Sequence, residues 1–490
     1  MHTGLLLEMA ADGLAGQTAI GGAEDGLSYA ALLSRARAAA ARISASGVQN
    51  VAFIGENGPA FPIALFAAGL SGRAFAPLNY RLPDADLNRV LARTAPSLAI
   101  VDDAMMARLG AAAGVTAISR SAFLDSGAAE QTPEPIDPDI AILLFTSGTT
   151  GEPKAAILRH RHVAAYVIST VEFMSAGAEE CALVSVPPYH IAGVSAVLTS
   201  VYAGRRLVQL PAFSPEGWIE TARRERVTHA MVVPTMLGRI LEALERDGGA
   251  LPDLRALSYG GGRMPAPVIE RALKRLPHVD FVNAYGLTET SSTISVLTAE
   301  DHRAALASAD PAVRRRLGSV GRPLPTLELE IRTPDGAPAA PNTPGEIWVR
   351  GEQVSGEYVG RKAVREDGWF PTNDCGWLDE AGYLYVDGRL DDVIVRGGEN
   401  ISPGEVEDVL RQHPDVRDVA VIGLPDNEWG ERVAAVVVGD ADADALRAWT
   451  RARLRSTKAP EDIFFRDALP YNDTGKLLRR ALKQELAGGG

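Results

Sequence analysis

The sequence predicts a large layered α/β domain followed by a small α+β domain, and three observations predict it. From about residue 28 to residue 330, helix-period segments alternate with short apolar runs of strand length. Such alternation builds mostly parallel sheets with helices packed on their faces. Between Gly318 and Gly351 the pattern changes to period-two segments separated by turn residues. Beyond Arg389-Leu390-Asp391-Asp392 roughly 100 residues remain, enough for a domain of their own. The length of 490 residues also exceeds what one core usually supports.

Residues 28–43, rich in Ala, Leu and Arg, predict a helix; 51–54 predict a short strand and 59–69 a second helix. Strand-like runs follow at 98–101, 140–145, 183–186, 229–233 and 279–284. Residues 327–332 alternate, Pro334-Asp335-Gly336 turns the chain, and 346–350 alternate again, which predicts an antiparallel hairpin. These segments make 318–390 a small β-rich, barrel-like unit within a domain spanning 1–390. In 391–490, Ser402-Pro403 with Glu405 predicts a capped helix start. Strands near 419–422 and 433–438 and helices near 443–454 and 477–486 complete that domain.

Hydrophobic residues make up 46% and charged residues 23%, as in ordinary globular proteins. The net charge of -13 argues against a nucleic-acid or anionic-membrane partner. Cys181 and Cys375 are the only cysteines, so no disulfide framework exists and a reducing cytoplasm is the expected location. Leu5-Leu6-Leu7 is too short for a signal peptide. The apolar stretch 61–78 is broken by Gly69, Gly72 and Arg73, so it predicts a packed helix and strand, with no membrane span.

The strand at 140–145 runs into Thr146-Ser147-Gly148-Thr149-Thr150-Gly151-Glu152-Pro153-Lys154. Glycines let a backbone wrap an anion, hydroxyls donate hydrogen bonds, and Lys adds a point charge. These are the requirements of a nucleotide triphosphate. The spacing does not fit G-x-x-x-x-G-K-[ST], so this is not a Walker A loop. A Ser/Thr/Gly surface turn is the competing reading. Six lysines stand among 49 basic residues, yet Lys154 and Lys476 both sit in glycine-flanked motifs where a compact ammonium serves better than a planar fork.

The 146–154 run resembles the phosphate loop of the adenylate-forming superfamily, which contains acyl-CoA synthetases, amino-acid-activating domains and luciferases. Further motifs resemble that superfamily in its own order. Asn283-Ala284-Tyr285-Gly286-Leu287-Thr288-Glu289-Thr290 implies Tyr285 against adenine beside Gly286, Thr288 on phosphate and Glu289 on Mg²⁺. Gly260-Gly261-Gly262-Arg263 implies a flat face for a ligand ring, with Arg263 a departure from the usual Ala-Pro. Pro187-Pro188-Tyr189-His190 implies a His190 bordering the acyl group. Gly368-Trp369-Phe370-Pro371-Thr372-Asn373-Asp374 implies Asp374 on the ribose, with Asn373 where Gly is usual. Arg389 would add a ribose contact, and Asp391 occupies the hinge position. Arg396-Gly397-Gly398-Glu399 resembles the loop that meets a pantetheine arm, and Thr474-Gly475-Lys476 the loop that brings a lysine to the α-phosphate.

The resemblance implies a mobile C-terminal domain and an enzyme using ATP, Mg²⁺ and coenzyme A. A carboxylate attacks ATP to give acyl-AMP and pyrophosphate, with Thr146, Glu289 and Lys476 in the machinery, and CoA then takes the acyl group. The expected acyl pocket comprises His190, Pro234, Thr235 and Arg263, which favours a hydrophobic monocarboxylate: fatty, alicyclic or aryl. No Asp lies between Cys181 and Pro211 to hold an amino group, so a free amino acid is a poor candidate. A dicarboxylate of malonate type becomes the alternative if Arg263 points inward. A carrier-protein acceptor, or a binding protein without catalysis, are the other readings. Oligomeric state is left open, a homodimer included.

Overall fold

The computed structural model describes residues 1–125, 127, 139–146, 153–471 and 477–487. Two large sheets dominate the N-terminal part. The eight-stranded sheet runs Arg361–Lys362, Glu357–Tyr358, Lys154–Arg159, Ile140–Thr146, Ala74–Pro77, Asn50–Ile54, Ser97–Val101, Val115–Ser119. Its central strands are parallel, and Asn50–Ile54 and Ser97–Val101 are buried along almost their whole length. Burial on both faces is why they read as unbroken apolar runs. The nine-stranded sheet carries Asp280–Leu287, Ala256–Gly260, His229–Val232, Cys181–Val184 and Arg206–Gln209 as parallel neighbours, in that order.

Helices Thr3–Leu14, Tyr29–Ala45, Ala60–Ser71 and Ile191–Ala203 supply one core that also takes in Val51 and Phe75 of the first sheet and Ala182 and Leu207 of the second. Ala60–Ser71 is buried at every position, as expected for a helix apolar all round and enclosed between layers. It ends at Gly72, whose left-handed φ of 67° closes the helix before Ala74–Pro77. Among the described residues no helix is long and apolar enough to cross a membrane. Helices Pro215–Arg224, Pro234–Asp247 and Ala266–Arg275 cover the other face of the nine-stranded sheet.

The expected hairpin appears as Glu328–Arg332 paired with Gly345–Arg350. Phe370–Leu378 and Leu384–Arg389 extend it into a four-stranded antiparallel sheet whose edges are the first and last of these strands. Its apolar face packs Ile331, Ile347, Val349 and Leu384 against Ile294 of the nine-stranded sheet.

The last sheet is built wholly from residues after 393. Val416–Asp426 and Gly430–Gly439 form its long central hairpin, with the short hairpin Ile394–Arg396/Glu399–Ile401 on one side. Helix Pro403–Arg411 starts where expected, with Pro at its first turn, but the Ser402 side chain makes no capping bond. Its hydroxyl donates instead to the Asp387 carbonyl oxygen, 3.2 Å away in the four-stranded sheet.

Candidate active site

Three chain segments meet at the carboxyl ends of the two large sheets, where crevices in open α/β sheets bind ligands. Ile140–Thr146 and Lys154–Arg159 pair so that Thr146 stands opposite Lys154, and the Thr146 hydroxyl donates to the Lys154 carbonyl 3.4 Å away. Ser147, Gly148, Thr149, Thr150, Gly151 and Glu152 lie outside the described residues. The strands thus fix both ends of the predicted phosphate loop.

Glu289 sits in a short helical turn, Thr288–Thr290, at the end of Asp280–Leu287. Its side chain is only 9% exposed, and its Oε1 accepts the Tyr358 hydroxyl at 2.5 Å. Its backbone oxygen accepts the Ser355 amide at 2.8 Å, while the Ser355 hydroxyl bonds the Ile157 carbonyl. Ser355 therefore ties the Glu289 turn to the strand that follows the phosphate loop. Ser291 and Ser292 then take left-handed φ values of 58° and 126°. Gln353, buried, donates to the carbonyls of Thr290 and Thr293 and so clamps this strained turn.

The adenosine side is equally connected. Tyr285 donates its hydroxyl to Asp374 Oδ2 at 2.6 Å, and Arg389 Nη1 meets Asp374 Oδ1 at 2.9 Å. The structure thus brings Tyr285, Asp374 and Arg389 together. Burial and the Asp374 carboxylate push the Tyr285 phenol well above its ordinary range, so it stays a donor. Burial works against the Arg389 charge, but Asp374 outweighs it and the guanidinium is held above its usual value. Each Asp374 oxygen keeps a second lone pair for a ribose hydroxyl. Gly260 is required by close approach: a Cβ there would overlap the Ala284 carbonyl oxygen on the neighbouring strand. Gly261 takes a left-handed φ of 79°, and Gly262 faces Pro234.

A cavity of about 360 Å³ opens beside Pro187, Phe213, Val233, Thr235 and Met236. Asn57 and Ser185 add polar groups, and the exposed Arg239 guanidinium lies over the Phe213 ring. Of the four expected acyl-pocket residues, Thr235 lines this cavity. His190, just before helix Ile191–Ala203, packs its ring 4.6 Å from Tyr189 and does not line this cavity. Pro234 begins helix Pro234–Asp247. Arg263 turns elsewhere and pairs with Asp408 of the C-terminal unit, because an unpaired guanidinium finds a carboxylate before it finds an apolar pocket.

Gly397 and Gly398 form the turn of the Ile394–Arg396/Glu399–Ile401 hairpin, both at positive φ, the geometry of a type I′ turn. Gly397 packs on the Trp429 ring, whereas a Cβ on Gly398 would meet nothing within 4 Å. Glu399 faces Arg455 at 4.0 Å. Asp391, in the turn Leu390–Asp392, accepts a hydrogen bond from the Asn373 amide at 3.2 Å. Lys476 lies outside the described residues, but Tyr471 and Leu477 bridge across its loop, and Tyr471 lines the cavity beside Thr235.

The family AMP-binding enzyme matches residues 7–359, and the family AMP-binding enzyme C-terminal domain matches residues 405–476. The chain belongs to the AMP-binding enzyme family. This AMP-binding enzyme is 35% identical over 472 residues to a feruloyl-CoA synthase of Amycolatopsis, covering 94% of each chain. It is 33% identical over 500 residues to an indoleacetate–CoA ligase of Aromatoleum aromaticum, covering 96% of each. Its fold superposes on o-succinylbenzoate coenzyme A synthetase from Bacillus subtilis, solved with ATP and magnesium, with a TM-score of 0.84 and 29% identity over 98% of this chain and 99% of that one. The AMP-binding enzyme is an ATP-dependent, AMP-forming acid–thiol ligase that makes acyl-AMP and passes the acyl group to CoA.

Tyr358 and Gln353 carry no motif signal and were legible only in three dimensions. Each was separated from Glu289 by more than sixty positions, and Tyr358 sits in a strand of two residues. The buried Glu289 carboxylate, held by one oxygen, fits Mg²⁺, which takes one or two carboxylates and leaves its other positions to water and substrate phosphate. Burial and the neighbouring Glu289 charge drive the Tyr358 phenol far above its ordinary range, so it donates at every working pH. Tyr358→Phe is expected to weaken MgATP binding on the order of tenfold, since a hydrogen bond to a charged group contributes ~1.5–3 kcal/mol. Titration calorimetry with MgATP checks this; unchanged affinity would show the bond to be idle.

Proposed function

We propose that the enzyme activates an aryl or arylalkanoic monocarboxylate, the aryl member of the hydrophobic class expected from the sequence. The observation that carries the reading is the cavity itself. Phe213, Val233, Met236 and two prolines line it together with the polar Asn57 and Ser185 and the cations Arg81 and Arg239, and its volume of about 360 Å³ suits a ring with a short side chain better than a long alkyl chain. The Arg263 guanidinium, the feature that favoured a dicarboxylate, is engaged with Asp408. Relatives that act on ferulate and indoleacetate support the same class.

In this reading residues 1–390 bind ATP and the acid, and 391–490 turn about Asp391. Asp374 and Arg389 hold the ribose and Tyr285 the adenine. Thr146 and Lys154 flank the run expected to meet the phosphates, and Glu289 would hold Mg²⁺, which would supply neutralisation of phosphate charge. The acid's carboxylate oxygen forms a bond to the α-phosphorus as the bond to pyrophosphate breaks. Charge spreads over the α-phosphoryl oxygens, where the Lys476 ammonium stabilises the transition state more than the ground state. The second domain orientation brings the Gly397-Gly398 turn to the site, where CoA thiolate attacks the acyl carbon and AMP leaves. Reusing one site for two steps is what a domain rotation provides. A cytoplasmic location accords with both cysteines being free.

Pyrophosphate release across a panel of benzoates, cinnamates, arylacetates, dicarboxylates and fatty acids, with and without CoA, tests the reading. The expected result is CoA-dependent turnover fastest with the aryl acids. Fastest turnover with malonate-type or long-chain fatty acids would overturn the assignment.

A further inference from the structure

Arg263 follows the glycine run that ends strand Ala256–Gly260, and its side chain leaves the N-terminal body. Its guanidinium pairs with Asp408 on helix Pro403–Arg411 and lies so close over Gly404 that a Cβ there would collide with it. The same junction holds the Ser402–Asp387 hydrogen bond and a 2.6 Å ion pair between Lys458 and Glu405. Charges around Asp387 are unevenly shared. Burial pushes its carboxyl up to about 6, and the carboxylates of Glu405 and Asp408 add to that, with Arg263 and Lys458 opposing. Arg263 is the one body-side cation in this set. Without it, Asp387 of the body faces two acids of the C-terminal unit, and like charges across a junction push it apart.

The orientation this junction holds is specific. It places Tyr471, five residues before Lys476, at the cavity with Thr235. It leaves the Gly397-Gly398 turn folded against Trp429 of its own unit.

We propose that Arg263 is a positioning residue for the adenylate-forming step: by pairing with Asp408 it holds the C-terminal unit in the orientation that sets Tyr471 beside Thr235, and it releases Asp408 when the unit turns for thioester formation. The proposal rests on the reading of Lys476 given above. A residue that served the acyl pocket would act on acid binding; this one acts on the balance between two orientations.

The test uses the full-length enzyme and two half-reactions: ATP–pyrophosphate exchange with an accepted aryl acid, and acyl-CoA formation from supplied acyl-adenylate. Arg263→Ala and Asp408→Ala are each expected to slow exchange about fivefold, near the upper end for a partly exposed ion pair, and to leave thioester formation unchanged or faster. The exchanged pair Arg263→Asp/Asp408→Arg is expected to recover most of the lost exchange. Equal loss in both half-reactions, no loss in either, or a rise in the KM of the acid alone would overturn the proposal, as would failure of the exchanged pair to recover. Lys476→Ala measured alongside separates the two assignments. Exchange that survives that change removes the loop's role and the positioning role with it.

Discussion

Lys476→Ala is expected to reduce acyl-adenylate formation by two to three orders of magnitude and to spare acyl-CoA formation from supplied acyl-adenylate. The magnitude follows from removing one preorganised donor at a site where charge develops, which costs ~10²–10³ in rate. The selectivity follows from chemistry. In the first step negative charge accumulates on phosphoryl oxygens, which an ammonium stabilises. In the second it accumulates on the acyl carbonyl oxygen as the thiolate adds to the carbon, and AMP then leaves. The loop's ends are fixed independently of Lys476, by the Tyr471–Leu477 bridge, the Leu478 amide on the Pro470 carbonyl and the Tyr471 hydroxyl on Asp418 at 2.6 Å. Truncation therefore removes the ammonium and leaves the fold. Pyrophosphate exchange and single-turnover thioester formation read the two steps, and an equal loss in both would exclude the assigned role.

Gly398→Leu is expected to act in the opposite sense, lowering thioester formation at least a hundredfold while exchange survives within a few-fold. A side chain at Gly398 meets nothing within 4 Å in the described orientation, so adenylation has no steric reason to suffer. The cost there is conformational, because φ is +84° and a non-glycine residue in that region loses ~1–2 kcal/mol. That cost falls on the hairpin turn, not on the nucleotide site. When the turn moves against the pantetheine arm, a branched side chain occupies the path of the thiol. The neighbouring Gly397 offers the contrast: its Cβ would press on Trp429 at 2.8 Å, so Gly397→Leu disturbs the C-terminal unit itself and separates the steps poorly. Loss of exchange in Gly398→Leu would show that the turn is not confined to the second step.

The parallel strands were legible because they are buried on both faces, and the observed 50–54, 97–101 and 140–146 each differ from the expected range by one residue at one end. The candidate nucleotide site could be proposed from sequence for a related reason. Tyr285, Asp374 and Arg389 lie in strands and Glu289 in the turn just after one, each within a contiguous motif. What the sequence hid involves residues far apart in the chain whose side chains choose between partners. Ser402 has the sequence of a cap, yet its hydroxyl goes to Asp387. Arg263 stands in a ligand-facing motif, yet Asp408, 145 residues later, takes its charge. Tyr358 and Gln353 support the Glu289 turn from short or irregular segments that carry no periodicity. The short hairpin at 394–401 read as a turn into a helix, because three-residue strands are too brief to show alternation.

In the reading proposed above, the bond from Asn373 to Asp391 joins the strand assigned to the ribose to the residue assigned as the pivot of the C-terminal unit. Asn373 holds a left-handed φ of 62°, a conformation asparagine tolerates because its short amide can bond locally, and here the amide bonds the pivot. Linkage between two sites is reciprocal: if rotation breaks this bond, nucleotide affinity changes by the same factor by which bound nucleotide biases the rotation. A glycine at 373 could supply the backbone angle but not the bond. On that proposed assignment, the side chain would couple departure of AMP to the return of the C-terminal unit.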